Sequence, residues 1–302
     1  MPLKNYRLAE KKKNLLLRAR IIQATRNFFI NNDYLEVETP VRIPTLIPEA
    51  NIDAISSEDW YLNTSPEICM KQLLAAGYPR IFQICKCFRA NERGKKHIPE
   101  FTILEWYCAG MDYIEMMHQC ETLIKNISNK TGFGGKIVFQ GNSIDLLCHW
   151  ERLTVSEAFK KYSQVSMKKA ISQGRFDEIM GIDIEPQLGK NKPLFLYNYP
   201  SSKGALARLK ADDISIAERF ELYIGGIELC NAFSELTDPY EQKKRFEEVL
   251  KNRDSNIPEK FLESLKYLPE SAGIAMGIDR LLMIFADTLN IDDVIGFPPE
   301  DL

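Results

Sequence analysis

The sequence has no long hydrophobic run and no large excess of either charge. Its 302 residues contain no stretch of about 18 apolar residues, so no membrane span is expected. The polar N-terminus lacks the apolar segment of a secretory signal. The net charge is −3, whereas large nucleic-acid binders are usually basic. We therefore expect a cytoplasmic protein without a broad RNA-binding surface.

The sequence also lacks a CxxC pair. Its seven cysteines are irregularly spaced within apolar runs, which indicates reduced thiols in the cytosol. Cys85 and Cys87 would share one strand face, and Cys148 precedes His149, so a zinc site is an alternative. The spacing matches no common zinc module. We favour the interpretation that these are buried, small apolar side chains.

A helix and a strand are predicted near the N-terminus. Residues 15–30 have apolar side chains at helical spacing, and a short strand at 34–38 ends at Thr39-Pro40. Residues 60–63 predict another strand, and Ser65-Pro66-Glu67 then begins a second helix. Glu67 lies in the first turn of that helix, where the helix dipole stabilises a carboxylate.

Residues 81–107 predict a strand, a loop and a returning strand. The first strand ends at Arg89, and the loop carries four basic side chains, those of Arg93, Lys95, Lys96 and His97. Because strand side chains alternate, Phe101, Glu105 and Tyr107 share one face. A guanidinium, an aromatic ring and a carboxylate on one surface suit a nucleoside triphosphate beside a small cation. Taken alone, the segment is also compatible with an ordinary hairpin whose basic loop is solvated.

Residues 218–234 predict a second hairpin, with Gly225-Gly226 as a two-residue turn. One face is apolar, and the other carries Glu221, Tyr223 and Glu228. Glu228 would lie opposite Tyr223 and diagonal to Glu221, at about 7 Å. Two carboxylates at that distance can share a divalent cation; the alternative is a pair of solvated acids.

Residues 273–278 predict a strand with one face of small side chains, formed by Gly273, Ala275 and Gly277. Such a face lets a flat ligand approach the backbone. Asp279-Arg280 then begins the final helix. The alternative interpretation is that the glycines serve close packing.

These segments occur in the order of a known family. Residues 15–40, 81–107 and 271–286 resemble motifs one, two and three of the class II aminoacyl-tRNA synthetases, with the lysyl branch closest. The similarity covers nearly the whole chain, which makes it far more specific than one short pattern. It implies an α+β fold: a class II aminoacyl-tRNA synthetase-like catalytic domain with an antiparallel β-sheet flanked by helices. It also implies a homodimer formed through motif one.

One catalytic domain is expected, over residues 1–302. Residues 130–190 resemble the variable insertion between motifs two and three, with a hairpin at Gly141-Asn142 and short helices near 154–162 and 165–172. We expect no anticodon-binding domain. Only about 14 residues precede the first catalytic helix, whereas the N-terminal barrel of a bacterial lysyl-tRNA synthetase has roughly a hundred, a size usual for one domain.

The resemblance implies an ATP site. Arg89 would bind the α-phosphate and stabilise the charge that develops there. His97 would reach the β- and γ-phosphates. Phe101 would stack on adenine, with Arg280 as a cation–π lid on the other face. Arg89 and Arg280 are the implied catalytic residues.

The resemblance also implies Mg²⁺, held by Glu221 and Glu228 against the phosphates. The sequence departs from the family pattern near this site. Asn91 stands where a glutamate usually contacts adenine, although Glu92 is adjacent. Other departures are Ile98 in place of an asparagine, and Cys230 and Ala232 in place of smaller residues.

The implied amino-acid pocket is acidic. Glu235 and Tyr107 would bind the ammonium at the far end of the substrate, with Glu67 and Glu105 nearer its α-end. The walls and floor would be formed by Asn231, Phe233 and Ala275. So many acids repel one another unless a cation lies among them, which favours a lysine-like substrate.

One conflict predicts an irregular strand. Alternation puts Glu228 and Asn231 on opposite faces, whereas the resemblance places both in the site. We therefore predict a bulge or a break within residues 229–232.

Within the class, the chain resembles the elongation factor P lysine ligases. These activate lysine or (R)-β-lysine with ATP and transfer it to the ε-amino group of one lysine on elongation factor P. Residues 185–200 resemble the ligases, and Ala275 occupies a position that is alanine in them and glycine in lysyl-tRNA synthetases. The added methyl should favour a β-amino over an α-amino group by about 1–3 kcal/mol.

The resemblance implies an aminoacyl-adenylate intermediate, elongation factor P as acceptor and no tRNA. Two alternatives stay open. One is a truncated lysyl-tRNA synthetase-like enzyme that acts on tRNA or another acceptor, and the other is a non-catalytic regulatory paralogue. A regulatory paralogue would usually have lost Arg89, Arg280 or a metal carboxylate, and all of these are present.

Overall fold

A computed structural model describes residues 6–251 and 256–302. Its helices are α1 Tyr6–Glu10, α2 Lys12–Ile30, α3 Glu67–Ala75, α4 Tyr113–Thr131, α5 Val155–Tyr162, α6 Met167–Ser172, α7 Phe176–Ile179, α8 Pro239–Leu250, α9 Glu259–Leu265 and α10 Ile278–Phe285. Its strands are β1 Leu35–Glu36, β2 Arg42–Ile43, β3 Ser56–Ser57, β4 Trp60–Leu62, β5 Arg80–Phe88, β6 Glu100–Ala109, β7 Lys136–Phe139, β8 Asn142–Asp145, β9 Glu151–Thr154, β10 Leu194–Pro200, β11 Ile216–Ile224, β12 Ile227–Ser234 and β13 Ser271–Gly277. No helix in the described ranges is long and apolar enough to cross a membrane.

Eight strands form one sheet, in the order β1-β5-β6-β13-β12-β11-β10-β9. The strands from β5 to β10 in this order pair antiparallel. The short edge strands β1 and β9 add in parallel, so the whole sheet is mixed. The predicted α+β fold, with its sheet flanked by helices, is confirmed.

The two faces of the sheet are covered differently. Helices α2, α4 and α10 pack on one face and form the main core. There Phe29 stacks on Phe82 with ring centroids 4.7 Å apart and contacts Trp106 at 5.1 Å. On the other face, α3, α8 and α9 cover a second, smaller core. The rest of that second face lines a cavity.

The β5–β6 hairpin has the predicted register. Cys87 pairs with Phe101 and Gln83 with Glu105, so Phe101 and Glu105 share one face. The loop between the strands is fastened to the C-terminal segment rather than fully solvated. Arg93 forms ion pairs with Asp292 at 2.9 Å and with Glu300 at 2.7 Å. These contacts restrain the loop that carries the predicted phosphate-binding histidine.

The β11–β12 hairpin contains the predicted bulge. Its turn residues Gly225 and Gly226 have φ of 63° and 74°, which suits the two-residue turn. Leu222 pairs with Cys230 but Tyr223 pairs with Glu228, so Leu229 is the extra residue. The bulge places Glu228 and Asn231 on the same side, since Glu221 pairs with Asn231.

The segment 130–190 contains the predicted hairpin and both short helices. The hairpin turn lies one residue earlier than predicted, at Gln140-Gly141, with φ of 51° and 76°. Asn142 begins β8 instead of forming the turn. Two further turns of helix, Met180–Ile184 and Glu185–Gln187, follow α7. A separate apolar cluster joins this segment to β10.

Candidate active site

The open part of the sheet forms a cavity of about 920 Å³. Such a volume lies within the range of small-molecule sites. The predicted site residues that line it are Arg89, Glu92, His97, Phe101, Glu221, Glu228, Asn231, Ala275 and Arg280. Asn91 is exposed and does not line the cavity. The others are buried beside it: Glu67, Glu105, Tyr107, Phe233 and Glu235.

Arg89 lies directly after β5, where its backbone N–H donates to the Pro99 carbonyl at 2.9 Å. Its guanidinium carbon is 5.0 Å from the centre of the Phe101 ring, within cation–π distance. The Arg89 Nε is buried and has no hydrogen-bond partner among the described residues. A buried donor without an acceptor is costly, so an incoming phosphate oxygen would satisfy it.

Arg280, at the start of α10, joins three parts of the site. Its Nη2 lies 2.6 Å from Nε2 of His97, and its Nη1 donates to the Glu228 carbonyl at 3.1 Å. The preceding Asp279 holds α10 in place by accepting from the Thr102 N–H at 2.7 Å and from Arg18. Arg280 thus fixes the loop that carries His97 against β12.

The basic groups near Arg280 repel one another. Burial lowers the pKa of His97, and the charge of Arg280 lowers it further. Burial and Arg280 likewise lower the pKa of Lys96. Polyanions relieve this repulsion, because a nearby opposite charge favours the protonated forms. The basic side of the cavity therefore suits a polyphosphate.

The predicted metal carboxylates share one side of the β11–β12 hairpin. Glu221 accepts from Arg219 at 2.7 Å and from the Tyr223 hydroxyl at 2.6 Å. Burial raises the pKa of Glu221, the Arg219 charge opposes the shift, and the Glu228 carboxylate adds to it. A divalent cation would relieve the repulsion between Glu221 and Glu228. Mg²⁺ prefers one or two carboxylates together with phosphate oxygens, so this pair fits it.

Arg219 is a site residue that the sequence analysis missed. Its Nε donates to the Asn231 amide oxygen at 2.8 Å and its Nη1 to the Lys203 carbonyl at 2.6 Å. It also lies over the Tyr199 ring at 4.4 Å. Because it bonds both Glu221 and Asn231, it links the metal side of the cavity to the amino-acid side. Arg219 lies two residues before Glu221 on the same face of the strand, and this spacing could have identified it as a site residue.

The acidic pocket contains an internal lysine, Lys71. Its Nζ lies 2.5 Å from Oε1 of Glu67 and 2.5 Å from Oε2 of Glu235. Nζ also lies 5.1 Å from the centre of the Phe233 ring. Burial lowers the pKa of Lys71, but the two carboxylates outweigh it and keep the pKa raised. Lys71 lies four residues after Glu67 on α3, and this spacing could have indicated the ion pair from the sequence.

Lys71 changes the charge argument made from the sequence. Three buried acids, Glu67, Glu105 and Glu235, were expected to require a cation from the substrate, and Lys71 already supplies one. Lys71 pairs with two of the three acids, Glu67 and Glu235, so the excess of acidic groups is reduced but not removed. Burial raises the pKa of Glu235 to about 8, while Lys71 opposes the shift. A second cation therefore remains favourable in this pocket.

Glu105 and Tyr107 lie where the predicted face places them. The Glu105 carboxylate accepts from the Ser65 hydroxyl at 3.0 Å and from the Tyr107 hydroxyl at 3.2 Å. Burial raises the pKa of Glu105 well above its usual value, and the Glu67 carboxylate adds to the shift. These groups form the wall next to Ala275, which pairs with Glu105 across the sheet.

Gly273 is required by this packing. A Cβ atom there would overlap the Tyr107 ring, with Cδ1 at 2.5 Å, and would also overlap Oε1 of Glu235. The small floor predicted from the sequence therefore has a specific cause: the backbone of β13 passes directly beneath the acidic pocket.

The whole chain is similar to proteins of one family. The family of class II tRNA synthetases (D, K and N) matches residues 3–301. A relative from Haemophilus influenzae (strain PittGG) is 38% identical over 310 residues, covering 94% of each chain. Relatives from Avibacterium paragallinarum and Buchnera aphidicola subsp. Schizaphis graminum are each 37% identical, covering 94–95% of the chains. All three relatives are named elongation factor P–(R)-β-lysine ligase.

Proposed function

The chain belongs to the class II tRNA synthetase family (D, K and N), and from this we propose that it is an ATP-dependent ligase acting on elongation factor P. It activates lysine or (R)-β-lysine as the adenylate and transfers it to a lysine ε-amino group. The observation that carries the proposal is a cavity with a basic side, next to a cluster of buried acids, in a chain whose relatives carry that ligase name and match it over 94–95% of each chain.

The first step forms the adenylate. The substrate carboxylate attacks the α-phosphorus, an oxygen–phosphorus bond forms, and the bond to the bridging oxygen of the β-phosphate breaks to release pyrophosphate. Arg89 binds the α-phosphate with Nε, the donor that has no hydrogen-bond partner among residues 6–251 and 256–302. His97 binds the outer phosphates, Phe101 stacks on adenine, and Arg280 covers the other face of the adenine ring. Such preorganised charge is usually the largest contribution to rate.

Glu221 and Glu228 are proposed to hold Mg²⁺. When bound, Mg²⁺ would neutralise the charge of the pyrophosphate leaving group. The repulsion between these carboxylates supports this assignment, because a cation between them would relieve it. Arg219 keeps Glu221 directed toward the cavity.

The acidic pocket is proposed to bind the substrate amines. Glu235 and Tyr107 would hold the terminal ammonium, with Glu67 and Glu105 near the reacting end. The nearest walls and floor are formed by Asn231, Phe233 and Ala275. The Ala275 methyl biases the pocket towards a β-amino group by about 1–3 kcal/mol.

The second step transfers the acyl group. A neutral lysine amine of elongation factor P attacks the acyl carbon, the bond to the AMP oxygen breaks, and the amine loses a proton. Holding the adenylate and the amine together supplies much of the acceleration. We also propose a homodimer formed through α2 and β1, a single catalytic domain over residues 1–302, and no activity on tRNA.

Mass spectrometry tests the proposal. Unmodified elongation factor P is incubated with the protein, ATP, Mg²⁺ and either lysine isomer, and its intact mass should increase by one lysyl group. The Arg89→Ala variant should lose this activity. Arg175→Ala is the matched control, because Arg175 is an exposed arginine paired with Glu178 at 2.9 Å, outside the cavity and outside α2 and β1.

The contrary outcomes are distinct. An unchanged mass with both isomers would exclude the ligase function. Pyrophosphate exchange without protein transfer, together with acylation of bulk tRNA in a filter assay, would instead identify a tRNA-charging enzyme.

A further inference from the structure

Glu49 lies in the cavity although no sequence pattern points to it. It belongs to the irregular segment between β2 and β3, and it lines the same cavity as Arg89, Arg219 and Asn231. Pro48 before it is buried, so the segment is anchored at the cavity wall. Glu49 therefore faces the cavity near the guanidiniums of Arg89 and Arg219.

The Glu49 carboxylate accepts no hydrogen bond and forms no ion pair among residues 8–251 and 256–302, although it is partly buried. A buried carboxylate without donors is unfavourable. Burial raises the pKa of Glu49 to about 7, and the Glu67 carboxylate contributes to the shift. Arg89 and Arg219 are close enough to oppose the shift, but neither pairs with Glu49.

Two neighbours indicate what is missing. The carboxylates of Glu67 and Glu49 repel each other, so a cation between them would stabilise both. Glu67 uses Oε1 for Lys71, and its Oε2 has no donor among the described residues. Once a phosphate binds Arg89, Glu49 loses part of the positive charge near it. Both effects favour an ammonium at this position.

We propose that Glu49 binds the substrate amino group nearest the reacting carboxylate, which is the α-amino group of lysine or the β-amino group of β-lysine. This inference rests on the proposed function. The position follows from the neighbours: Arg89 marks the α-phosphate, which the substrate carboxylate attacks, and Glu67 borders the acidic pocket. The amino group adjacent to that carboxylate is the cation that arrives between Glu49 and Glu67. Glu49 is thus a residue of substrate selection.

A comparison of two ligands isolates this contact. 6-Aminohexanoic acid keeps the carboxylate and the terminal ammonium of lysine but lacks the second amino group. The Michaelis constant of each lysine isomer in pyrophosphate exchange is measured for the wild type and Glu49→Gln, with the inhibition constant of 6-aminohexanoic acid. Loss of a hydrogen bond to a charged group predicts that the Michaelis constant of at least one lysine isomer rises about tenfold or more in the variant. The inhibition constant of 6-aminohexanoic acid should change less than about twofold.

Glu58→Gln is the matched control. Glu58 lies in the turn between β3 and β4, is paired with Arg42 at 2.7 Å, and has a side chain 82% exposed outside the cavity. The same chemical change there should alter neither constant. Thermal stabilisation by each ligand, with a non-hydrolysable ATP analogue present, gives the same comparison for a variant too slow to assay.

Three results would overturn the inference. If lysine and 6-aminohexanoic acid bind equally more weakly to the variant, Glu49 acts on the guanidiniums of Arg89 and Arg219. The same conclusion follows if only ATP binds more weakly. Unchanged binding of both lysine isomers would remove any role in selection. If the wild type shows no exchange with either isomer, the proposed function itself fails, and the inference fails with it.

Discussion

Replacing Lys71 with methionine tests the charge balance of the acidic pocket. The Lys71 side chain is only 2% exposed, and its Nζ lies 2.5 Å from carboxylate oxygens of both Glu67 and Glu235. Methionine keeps the length and the apolar stem but removes the charge. The variant therefore leaves two buried carboxylates without their cation, in an otherwise similar volume.

The expected loss of stability is large. Breaking a buried ion pair by removing one partner costs about 3–5 kcal/mol, because the remaining charge is left buried. For 302 residues, with an unfolding entropy of about 2.1 cal/mol/K per residue, 1 kcal/mol shifts the melting temperature by roughly 1.6 °C, so a decrease of roughly 5–8 °C is expected at pH 8. This loss is a large share of the free energy of unfolding of a typical protein, which is about 5–15 kcal/mol.

The loss should depend on pH. The pKa of Glu235 is already raised to about 8 with Lys71 present, and removal of the lysine charge raises it further. A carboxyl whose pKa is raised by folding contributes its full stability below the pKa of the unfolded chain, about 4.3. The folded protein loses that stability as the pH rises through the folded-state pKa. The free energy of unfolding of the variant should therefore differ less from that of the wild type at pH 6 than at pH 8.

Urea unfolding and thermal melting at pH 6 and pH 8 measure these effects. Lys125→Met is the matched control, since Lys125 also pairs with a glutamate four residues earlier, Glu121 at 2.5 Å, and lies over an aromatic ring. Its side chain is 28% exposed, so the control should lose less than about 1 kcal/mol. Lys71→Met combined with Glu235→Gln should recover stability, because it removes one of the stranded charges.

The reasoning fails if Lys71→Met lowers the free energy of unfolding no more than Lys125→Met does at pH 8. It also fails if the loss is the same at both pH values, or if the double variant is no more stable than Lys71→Met. Any of these results would mean that solvent or a neighbouring group compensates the two carboxylates.

The elements that position the site were predictable from local patterns. The β5–β6 hairpin follows from alternation, and the β11–β12 turn follows from two adjacent glycines that tolerate positive φ. The bulge at Leu229 followed from a conflict between strand period and the positions of Glu228 and Asn231. The hairpin turn at Gln140 was misplaced by one residue, because glycine and asparagine both favour the φ > 0 that the turn requires, whereas glutamine rarely adopts it.

The contacts between distant elements were not predictable. Lys71 follows Glu67 on one helix, but Glu235 reaches the same ammonium from the end of β12. Glu49 lies in an irregular segment without any period, and only the folded chain places it beside Arg89. The roles of the candidate site residues stay predictions, as does the single-domain assignment, because proximity alone does not identify a ligand.

Three further perturbations test the pocket and its ligands. Gly273→Ala should raise the Michaelis constant of lysine at least about tenfold, because its Cβ would overlap two side chains of the pocket, whereas Gly296→Ala, with open space around its Cβ, should not. Arg280→Lys keeps the charge but loses the fork that contacts two other elements, so the Michaelis constant of ATP should rise about tenfold, and a change below twofold would contradict this role. The affinity for lysine should increase from pH 6 to about pH 8, because the buried Glu235 carboxyl, with its pKa raised to about 8, must lose a proton before it can bind an ammonium. The increase should be at most about tenfold per pH unit for one proton, and it should reverse near pH 10, where the lysine amine with its pKa of about 10.4 loses its charge. A Michaelis constant that is flat between pH 6 and pH 8 would show that Glu235 is already ionised in the free protein, and that Lys71 compensates it fully.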